Sequence, residues 1–168
     1  MRNRVYIKDL KDNVGKEVII AGWVDVRRDQ GKMVFFDMRD MTGKVQGVIL
    51  PSYKEVIEKA KPIRLEWVLK ITGKVNARPP KNVKAGVMNG DIELEITGIE
   101  VLAPAEPLPF DMSESGYNLE LTTELDNRAL VLRHPKVQAV FRVQETIIDA
   151  FREFMKKNMF FEFQAPSI

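Results

Sequence analysis

The chain has 168 residues, enough for one domain of ordinary size and part of a second. It contains no cysteine, which excludes disulfide bonds and metal or redox sites built on thiolates. The N-terminus has no apolar run typical of a secretion signal, and no stretch approaches the roughly 20 apolar residues of a membrane helix. We therefore expect a cytoplasmic protein that does not use a membrane, while the net charge of +2 favours no class of partner by itself.

The first part of the chain predicts a small barrel of β-strands. A short helical or turn segment at Val5–Val14 precedes alternating apolar patterns that predict five strands, at Glu17–Arg27, Lys32–Arg39, Lys44–Leu50, Leu65–Arg78 and Asp91–Leu102. Between the third and fourth strands, Ser52 predicts the start of a short helix and Pro62 its end. This order of elements is typical of the five-stranded OB-fold barrel, whereas a β-sandwich usually needs more strands in this length.

Alternation along these strands also predicts which side chains fill the barrel. The residues predicted to point inward are Val18, Ile20, Val24, Val26, Val34, Phe36, Met38, Leu65, Trp67, Leu69, Ile71, Val75, Ala77, Ile92, Leu94 and Ile96. Phe35 is an aromatic residue on the opposite, charged face, which it shares with Asp37 and Arg39. It is therefore predicted to be displayed to solvent, where an aromatic ring can stack on an unpaired base, although single exposed apolar residues are also common on protein surfaces.

Charge is distributed unevenly along the chain. Between Lys61 and Lys84, seven basic residues stand against one acid, and three of them, Lys70, Lys74 and Arg78, fall on the outward face of the fourth strand. Such a face can contact nucleic-acid phosphates, although for charge runs in general a solvated surface is the commoner explanation. Lys70 and Lys74 are accordingly candidate phosphate contacts.

After the fifth strand the character of the sequence changes. We assign residues 1–103 to the barrel and residues 104–127, which are proline-rich and then acidic, to a linker or hinge. From Pro135 onward, apolar residues recur at spacings of three and four, which predicts an amphipathic helix from about Lys136 to Lys157. The run MFFEFQAPSI then predicts a strand. Because neither element has enough neighbouring chain to cover its apolar side, we expect residues 128–168 to begin an α+β domain that they do not complete.

Six blocks of the sequence, in a fixed order, carry a resemblance to a known family. GWVDVRRDQG, FFDMRDMTGKVQ, ITGKVNARP and NGDIELEI resemble the N-terminal anticodon-binding domain of class II aspartyl-tRNA synthetases. LDNRALVLRHPKVQAVFRVQ resembles the segment that leads into the catalytic domain of the aspartyl and asparaginyl enzymes. FFEFQAPSI resembles the end of their motif 1, whose characteristic proline is Pro166 here. Together the blocks cover essentially the whole chain.

The resemblance implies anticodon contacts for five barrel residues. Phe35 matches the aromatic residue that stacks on the middle base, and Gln46 matches the glutamine that reads a central uridine with its amide. Arg28 matches an arginine that contacts the anticodon, with an ion pair to Asp29 or Asp25 as the alternative. Arg78 and Glu93 match residues near the outer anticodon letters, where a carboxylate can accept hydrogen bonds from guanine.

The resemblance also implies what the chain does and what it lacks. It implies anticodon recognition within an aspartate–tRNA ligase, with the tRNA for aspartate, for asparagine or for both as partner and no DNA expected. An asparagine–tRNA ligase and a stand-alone OB-fold module for tRNA or single-stranded nucleic acid remain the alternatives. No catalytic or metal-binding residue is predicted, because the family's motifs 2 and 3, which use ATP and Mg²⁺, do not occur in the sequence. The chain alone is therefore expected to be inactive and to hold no cofactor.

In this family the amphipathic helix builds a homodimer. The resemblance therefore implies a dimer interface at Phe141, Ile148, Phe151 and Pro166. His134, the only histidine, stands where the family usually has an arginine, and we expect it at a surface or interface position. The block LDNRALVLRHP departs from the form typical of bacterial aspartyl enzymes, so the sequence leaves the choice between aspartate and asparagine open.

Overall fold

The computed structural model describes residues 4–112, 118–164 and 166 of the chain. The chain divides into two compact units, Met1–Pro107 and Leu108–Ile168, of which the first holds the strands and the second the longest helix. The predicted linker, 104–127, spans this division, and its residues 113–117 lie outside the described residues. None of the described helices combines the length and the apolar character needed to cross a membrane.

The described residues of the first unit form a closed barrel of five strands. The strands are β1 (Glu17–Gln30), β2 (Met33–Asp40), β3 (Gly43–Ile49), β4 (Val68–Ala77) and β5 (Ile92–Ala103). They pair in the order β1-β2-β3-β5-β4, and β4 closes the barrel onto β1. Among these strands only β3 and β5 pair in parallel. A 3-10 helix, Ile7–Asn13, precedes the barrel, and helix α1, Lys54–Ala60, lies between β3 and β4. The predicted OB-fold barrel is confirmed.

Strand alternation correctly predicts the centre of the barrel core. The fully enclosed side chains include Ile20, Val24, Phe36, Met38, Leu69, Ile71, Val75, Leu94 and Ile96. The prediction is wrong at three positions near strand ends or irregularities. Val26 is 36% exposed, because a β-bulge between Val24 and Val26 shifts the register of β1 against β2. Leu65 is exposed because β4 begins only at Val68, and Ala77 is exposed as the last residue of that strand.

Helix α1 is held at its C-terminus by an arginine from β1. The Arg27 guanidinium donates hydrogen bonds from one nitrogen to the carbonyl oxygens of Ala60, Lys61 and Ile63, at 3.0, 2.9 and 2.7 Å. At this end a helix leaves carbonyl groups without intrahelical partners, and a cation is favoured there. The predicted helix start at Ser52 is wrong by one residue, because Tyr53 occupies the N-cap position, without a side-chain cap hydrogen bond.

A buried carboxylate joins the N-terminal 3-10 helix to the β2–β3 turn. Asp40 accepts hydrogen bonds from the backbone N–H groups of Ile7, Thr42 and Gly43 and from the Thr42 hydroxyl, at distances from 2.6 to 3.2 Å. Arg4 forms an ion pair with the same carboxylate at 3.4 Å. Burial by itself raises the pKa of Asp40, but the hydrogen bonds together outweigh burial and hold that pKa below its ordinary value.

The described residues of the second unit form three helices. They are α2 (Leu121–Asp126), α3 (Arg128–Val131) and α4 (Pro135–Lys157), and α4 covers the range predicted for the amphipathic helix. Proline at its first position suits a helix start, where an N–H group has no intrahelical partner. Phe141, Ile148 and Phe151 of α4 are exposed, as is Pro166 beyond it.

Two expectations for this unit are wrong. His134 does not lie at the surface: it is 1% exposed and acts as the N-cap of α4, where its Nδ1 accepts a hydrogen bond from the backbone N–H of Lys136 at 3.2 Å. The strand expected after Asn158 does not form over residues 160–164, which have no regular secondary structure. A strand needs a hydrogen-bonded neighbour, and none of the described segments pairs with these residues.

The Asp40 cluster gives a prediction about stability and pH. We expect Asp40→Asn to lower the free energy of unfolding at pH 7 by about 1–3 kcal/mol, because buried donors lose a charged acceptor. Since folding lowers the pKa of Asp40, its stabilisation is complete above the ordinary value of 3.8 and is lost as the pH falls through the folded value. Urea unfolding at several pH values checks this. The difference in the free energy of unfolding between the two proteins should narrow as the pH falls below 3.8.

Asp12→Asn is the matched control, because Asp12 is an exposed acid of the same 3-10 helix. This change should shift stability by no more than about 0.5 kcal/mol. If the free energies of unfolding of Asp40→Asn and the original protein differed by the same amount at every pH, the stabilising role assigned to the ionised Asp40 carboxylate would be contradicted.

A second prediction concerns the extent of the barrel unit. We expect a chain ending at Pro107 to fold cooperatively, because the enclosed core lies within the first unit. A chain ending at Ala103 should be less stable by about 0.5–1.5 kcal/mol, because the Trp67 indole N–H loses the carbonyl of Ala105, its acceptor at 3.0 Å. Denaturant unfolding followed by tryptophan fluorescence measures both. Failure of the longer chain to fold would place the boundary elsewhere.

Candidate functional site

The outer surface of the barrel carries a groove of about 690 Å³, a volume within the usual range for ligand sites. Its walls come from all five strands and from the loop between β4 and β5. The residues that line it are Arg28, Gln30, Met33, Phe35, Gln46, Val48, Leu50, Asn76, Ala77, Arg78, Pro79, Asn82, Lys84 and Glu93. The five side chains predicted to contact an anticodon are all in this set. The structure therefore brings together residues that lie as far apart in sequence as Arg28 and Glu93.

Phe35 forms part of the groove wall. It lies opposite Arg28 on β1 and opposite Val48 on β3, so an aliphatic side chain and a guanidinium flank the ring. Val48 is buried beneath the groove although it lies outside the barrel core. Phe35 is half-buried, whereas Phe36 is fully enclosed, as alternation predicts. The aromatic ring is thus partly enclosed by its neighbours and accessible from the groove.

Gln46 is held by two charged neighbours. Its Nε2 donates a hydrogen bond to Glu93 Oε2 at 3.0 Å, and its Oε1 accepts one from Lys84 Nζ at 3.0 Å. These bonds fix which end of the amide points in which direction. A primary amide has two N–H groups and two carbonyl lone pairs, so one donor and one acceptor remain for a ligand. Such a pair suits a group that itself presents an adjacent acceptor and donor.

The arginines of the groove are also anchored by other groups. Arg28 forms an ion pair with Asp37 at 2.8 Å, rather than with an aspartate of its own strand. The Arg78 Nε–H donates to the carbonyl of Ile92 at 2.8 Å. A guanidinium has five N–H donors, so both side chains keep donors for a ligand. With Lys84, they place three cations in the groove against the single lining carboxylate of Glu93, a balance that favours an anionic ligand.

The two lysines predicted to contact phosphate lie elsewhere. Neither Lys70 nor Lys74 lines the groove, although both are on β4, the strand that leads to Arg78. Lys70 pairs with Glu100 across β4 and β5 at 2.7 Å, while Lys74 is exposed. Their proposed role would therefore require a ligand that extends beyond the groove along the barrel.

Sequence reasoning missed several residues of the groove, notably Lys84 and Asn76. Lys84 belongs to the proline- and asparagine-rich loop between β4 and β5, whose position over β3 depends on contacts between distant segments. Asn89 fixes that loop: it is buried, adopts a positive φ of 56°, and donates from Nδ2 to the carbonyls of Ile7 and Lys44. The feature of the sequence that could have indicated Lys84 as a site residue is the run of basic residues that ends there.

Two family models match the chain. Residues 18–102 match the OB-fold nucleic acid binding domain of the tRNA anticodon type, and residues 120–168 match the class II tRNA synthetases for D, K and N. The first match spans the strands that build the groove.

Individual relatives agree with these models. The chain is 37% identical to the aspartate–tRNA(Asp/Asn) ligase of Natranaerobius thermophilus over 100% of its own length and 29% of the relative. It is 36% identical to the aspartate–tRNA ligase of Bacillus licheniformis, with 91% of the chain and 26% of the relative covered. The chain thus spans between a quarter and a third of the length of these curated relatives.

Solved structures give the same picture. The aspartyl-tRNA synthetase of Entamoeba histolytica superposes with a TM-score of 0.83 at 27% identity, over 97% of this chain and 39% of that one. The asparaginyl-tRNA synthetase of Pyrococcus horikoshii superposes with a TM-score of 0.80 at 31% identity, over 99% of this chain and 37% of that one.

Proposed function

The chain belongs to the OB-fold nucleic-acid-binding family of tRNA anticodon domains and continues into a class II synthetase segment, and on this premise we propose that its barrel binds a tRNA anticodon loop. The observation that carries the proposal is that a half-buried aromatic ring, Phe35, and an oriented amide, Gln46, line one cationic groove. A stacking surface and a hydrogen-bonding group are what a protein uses to hold an unpaired RNA base.

Each residue of the groove has a role in this proposal. The ring of Phe35 stacks on the middle anticodon base. The remaining N–H and lone pair of Gln46 pair with the O4 and N3–H of a uracil, whose edge presents an acceptor beside a donor. Arg28 and Arg78 contact phosphates or the edges of the outer bases. Glu93 Oε1, which accepts no hydrogen bond from the described residues, accepts one from an outer guanine.

Lys70 and Lys74 would contribute less to RNA binding than the residues that line the groove. They would contact phosphates only where the RNA continues past the groove along β4. Lys70 would first have to leave Glu100, its partner at 2.7 Å, so we expect it to add less to affinity than the arginines.

For the whole protein we propose an aspartate–tRNA ligase that uses ATP and Mg²⁺ and acts on the tRNAs for both aspartate and asparagine. Support comes from the relative of Natranaerobius thermophilus, which carries both tRNAs in its name. An asparagine–tRNA ligase is the second candidate, because an asparaginyl enzyme is among the structures that superpose on 99% of the chain. The described residues contain no group of three or more acidic or histidine side chains placed to hold a metal ion. In the proposal, ATP and Mg²⁺ belong to motifs 2 and 3 of the whole protein, as the family resemblance implies.

We also propose that the whole protein is a homodimer formed through α4. This helix leaves Phe141, Ile148 and Phe151 exposed, and an apolar stripe of this kind is favourable only when another surface covers it. In the second copy the same stripe provides a matching apolar surface, as a two-fold symmetric interface requires.

The anticodon proposal predicts a loss of affinity on removal of the stacking ring. Phe35→Ala should weaken binding of an anticodon stem-loop by about 1–3 kcal/mol, the usual contribution of stacking between a base and an aromatic ring. Gln46→Ala should weaken binding of a loop with a central uridine more than binding of one with a central cytidine, because its amide matches the uracil edge. Fluorescence anisotropy with labelled stem-loops measures both effects.

The matched control is Met41→Ala, which removes an exposed apolar side chain of the β2–β3 turn outside the groove. This control should bind as the original chain does. Unchanged affinity for Phe35→Ala and Gln46→Ala would sink the anticodon assignment, and equal binding of unrelated single-stranded RNA would favour a general nucleic-acid module instead.

The dimer proposal predicts that a charge on the stripe prevents association. Phe151→Glu should yield a monomer in sedimentation velocity at concentrations where the original chain associates, because a carboxylate would be buried without a partner. Thr146→Glu adds the same charge to α4 away from the three stripe residues and should leave association intact. Association that persists in Phe151→Glu would contradict the interface.

A further inference from the structure

Asn76 is a groove residue to which the proposed anticodon contacts give no role. It lies on the outward face of β4, directly after the enclosed Val75, and it lines the groove. Its partner in the β4–β5 ladder is Glu93, the residue that orients Gln46. Asn76 and Gln46 are therefore two primary amides on either side of one carboxylate.

The amide nitrogen of Asn76, like that of Gln46, donates a hydrogen bond to a glutamate. Its Nδ2 donates to Glu95 Oε2 at 2.9 Å, and the Tyr53 hydroxyl donates to the other oxygen of Glu95 at 3.0 Å. The hydrogen bond to Glu95 raises the pKa of Tyr53 above its ordinary value. Tyr53 holds the carboxylate, and the carboxylate in turn holds the amide.

Asn76 keeps hydrogen-bonding groups that are available to a ligand. Among the described residues, none donates to its Oδ1, and its second Nδ2–H has no acceptor, so an acceptor and a donor remain for a ligand. A residue needed only to satisfy Glu95 could equally be a lysine or an arginine, which would also neutralise its charge. A neutral amide instead presents the same pair of groups that Gln46 presents.

The spacing of the two amides indicates two different bases. Gln46 is on β3 and Asn76 on β4, with β5 between them, so they are separated by two strand spacings, or about 10 Å. One base edge does not span that distance, but two bases splayed apart on the barrel surface do.

We propose that Asn76 is a second base-reading residue, which contacts the Watson–Crick edge of an anticodon base next to the one read by Gln46. The inference rests on the proposed anticodon function. It assigns Tyr53 and Glu95 as positioning residues, because they act on the RNA only through Asn76.

The test measures how the chain discriminates between bases at each anticodon position. Stem-loops in which each anticodon letter is varied in turn are titrated against the full chain and its Asn76→Ala variant. Asn76→Ala should reduce the discrimination at one outer position by about tenfold or more and leave discrimination at the middle position unchanged. Tyr53→Phe removes only a hydroxyl and should reduce discrimination at the same outer position by a smaller factor. Thr72→Ala, on the same face of β4 but outside the groove, should change nothing.

The possible results distinguish a failure of the inference about Asn76 from a failure of the anticodon proposal. If Phe35→Ala weakens binding but Asn76→Ala and Tyr53→Phe keep every discrimination ratio, Asn76 reads no base and only this inference fails. A uniform loss of affinity at all positions would show a structural role and overturn the inference as well. If Phe35→Ala itself binds normally, the groove is not the anticodon site and both fail. Thermal unfolding of each variant confirms that binding is compared between folded proteins.

Discussion

The short parallel contact between β3 and β5 is the constraint on which the rest of the structure depends. It joins β3 to β5 through two residue pairs, Gly47 with Leu94 and Val48 with Glu95. Gly47 makes the close approach feasible, because a Cβ atom at that position would lie 2.8 Å from the Ile96 side chain. The same contact brings Gln46 beside Glu93. This pairing thus completes the core on the inside and helps to assemble the groove on the outside.

A second set of contacts joins the groove to the N-terminal 3-10 helix. Asp40 binds the backbone N–H of Ile7, while Asn89 binds its carbonyl oxygen. Asn89 belongs to the loop that carries Lys84, and Lys84 completes the clamp on Gln46. The 3-10 helix, the β2–β3 turn and the β4–β5 loop therefore support one another. The orientation of Gln46 in the groove therefore depends in part on hydrogen bonds to the backbone of Ile7, which does not line the groove.

The sequence predicts local features of this protein far better than contacts between distant segments. Alternation separates Phe35 from Phe36 correctly, because the side-chain period of a strand is a local property. It fails at Val26, since a β-bulge depends on how two strands pair. Alternation alone indicated Phe35 as a stacking residue, the resemblance supplied the other four anticodon candidates, and the structure adds that all five share one groove. The place of Lys84 in the groove could not be predicted from local sequence, because its contact with Gln46 joins residues 38 positions apart.

Carboxylates in a groove proposed to bind a polyanion require a physical reason. Glu93 lines the groove and Glu95 accepts a hydrogen bond from Asn76, so both would repel phosphate and lower the affinity for it. Each, however, fixes an amide through a charged hydrogen bond, which is stronger than a neutral one. An oriented amide that meets the wrong base is left with a buried donor or acceptor unsatisfied, and that loss discriminates between sequences. In the proposed complex, the groove would therefore give up part of its electrostatic attraction for RNA and gain selectivity for particular bases.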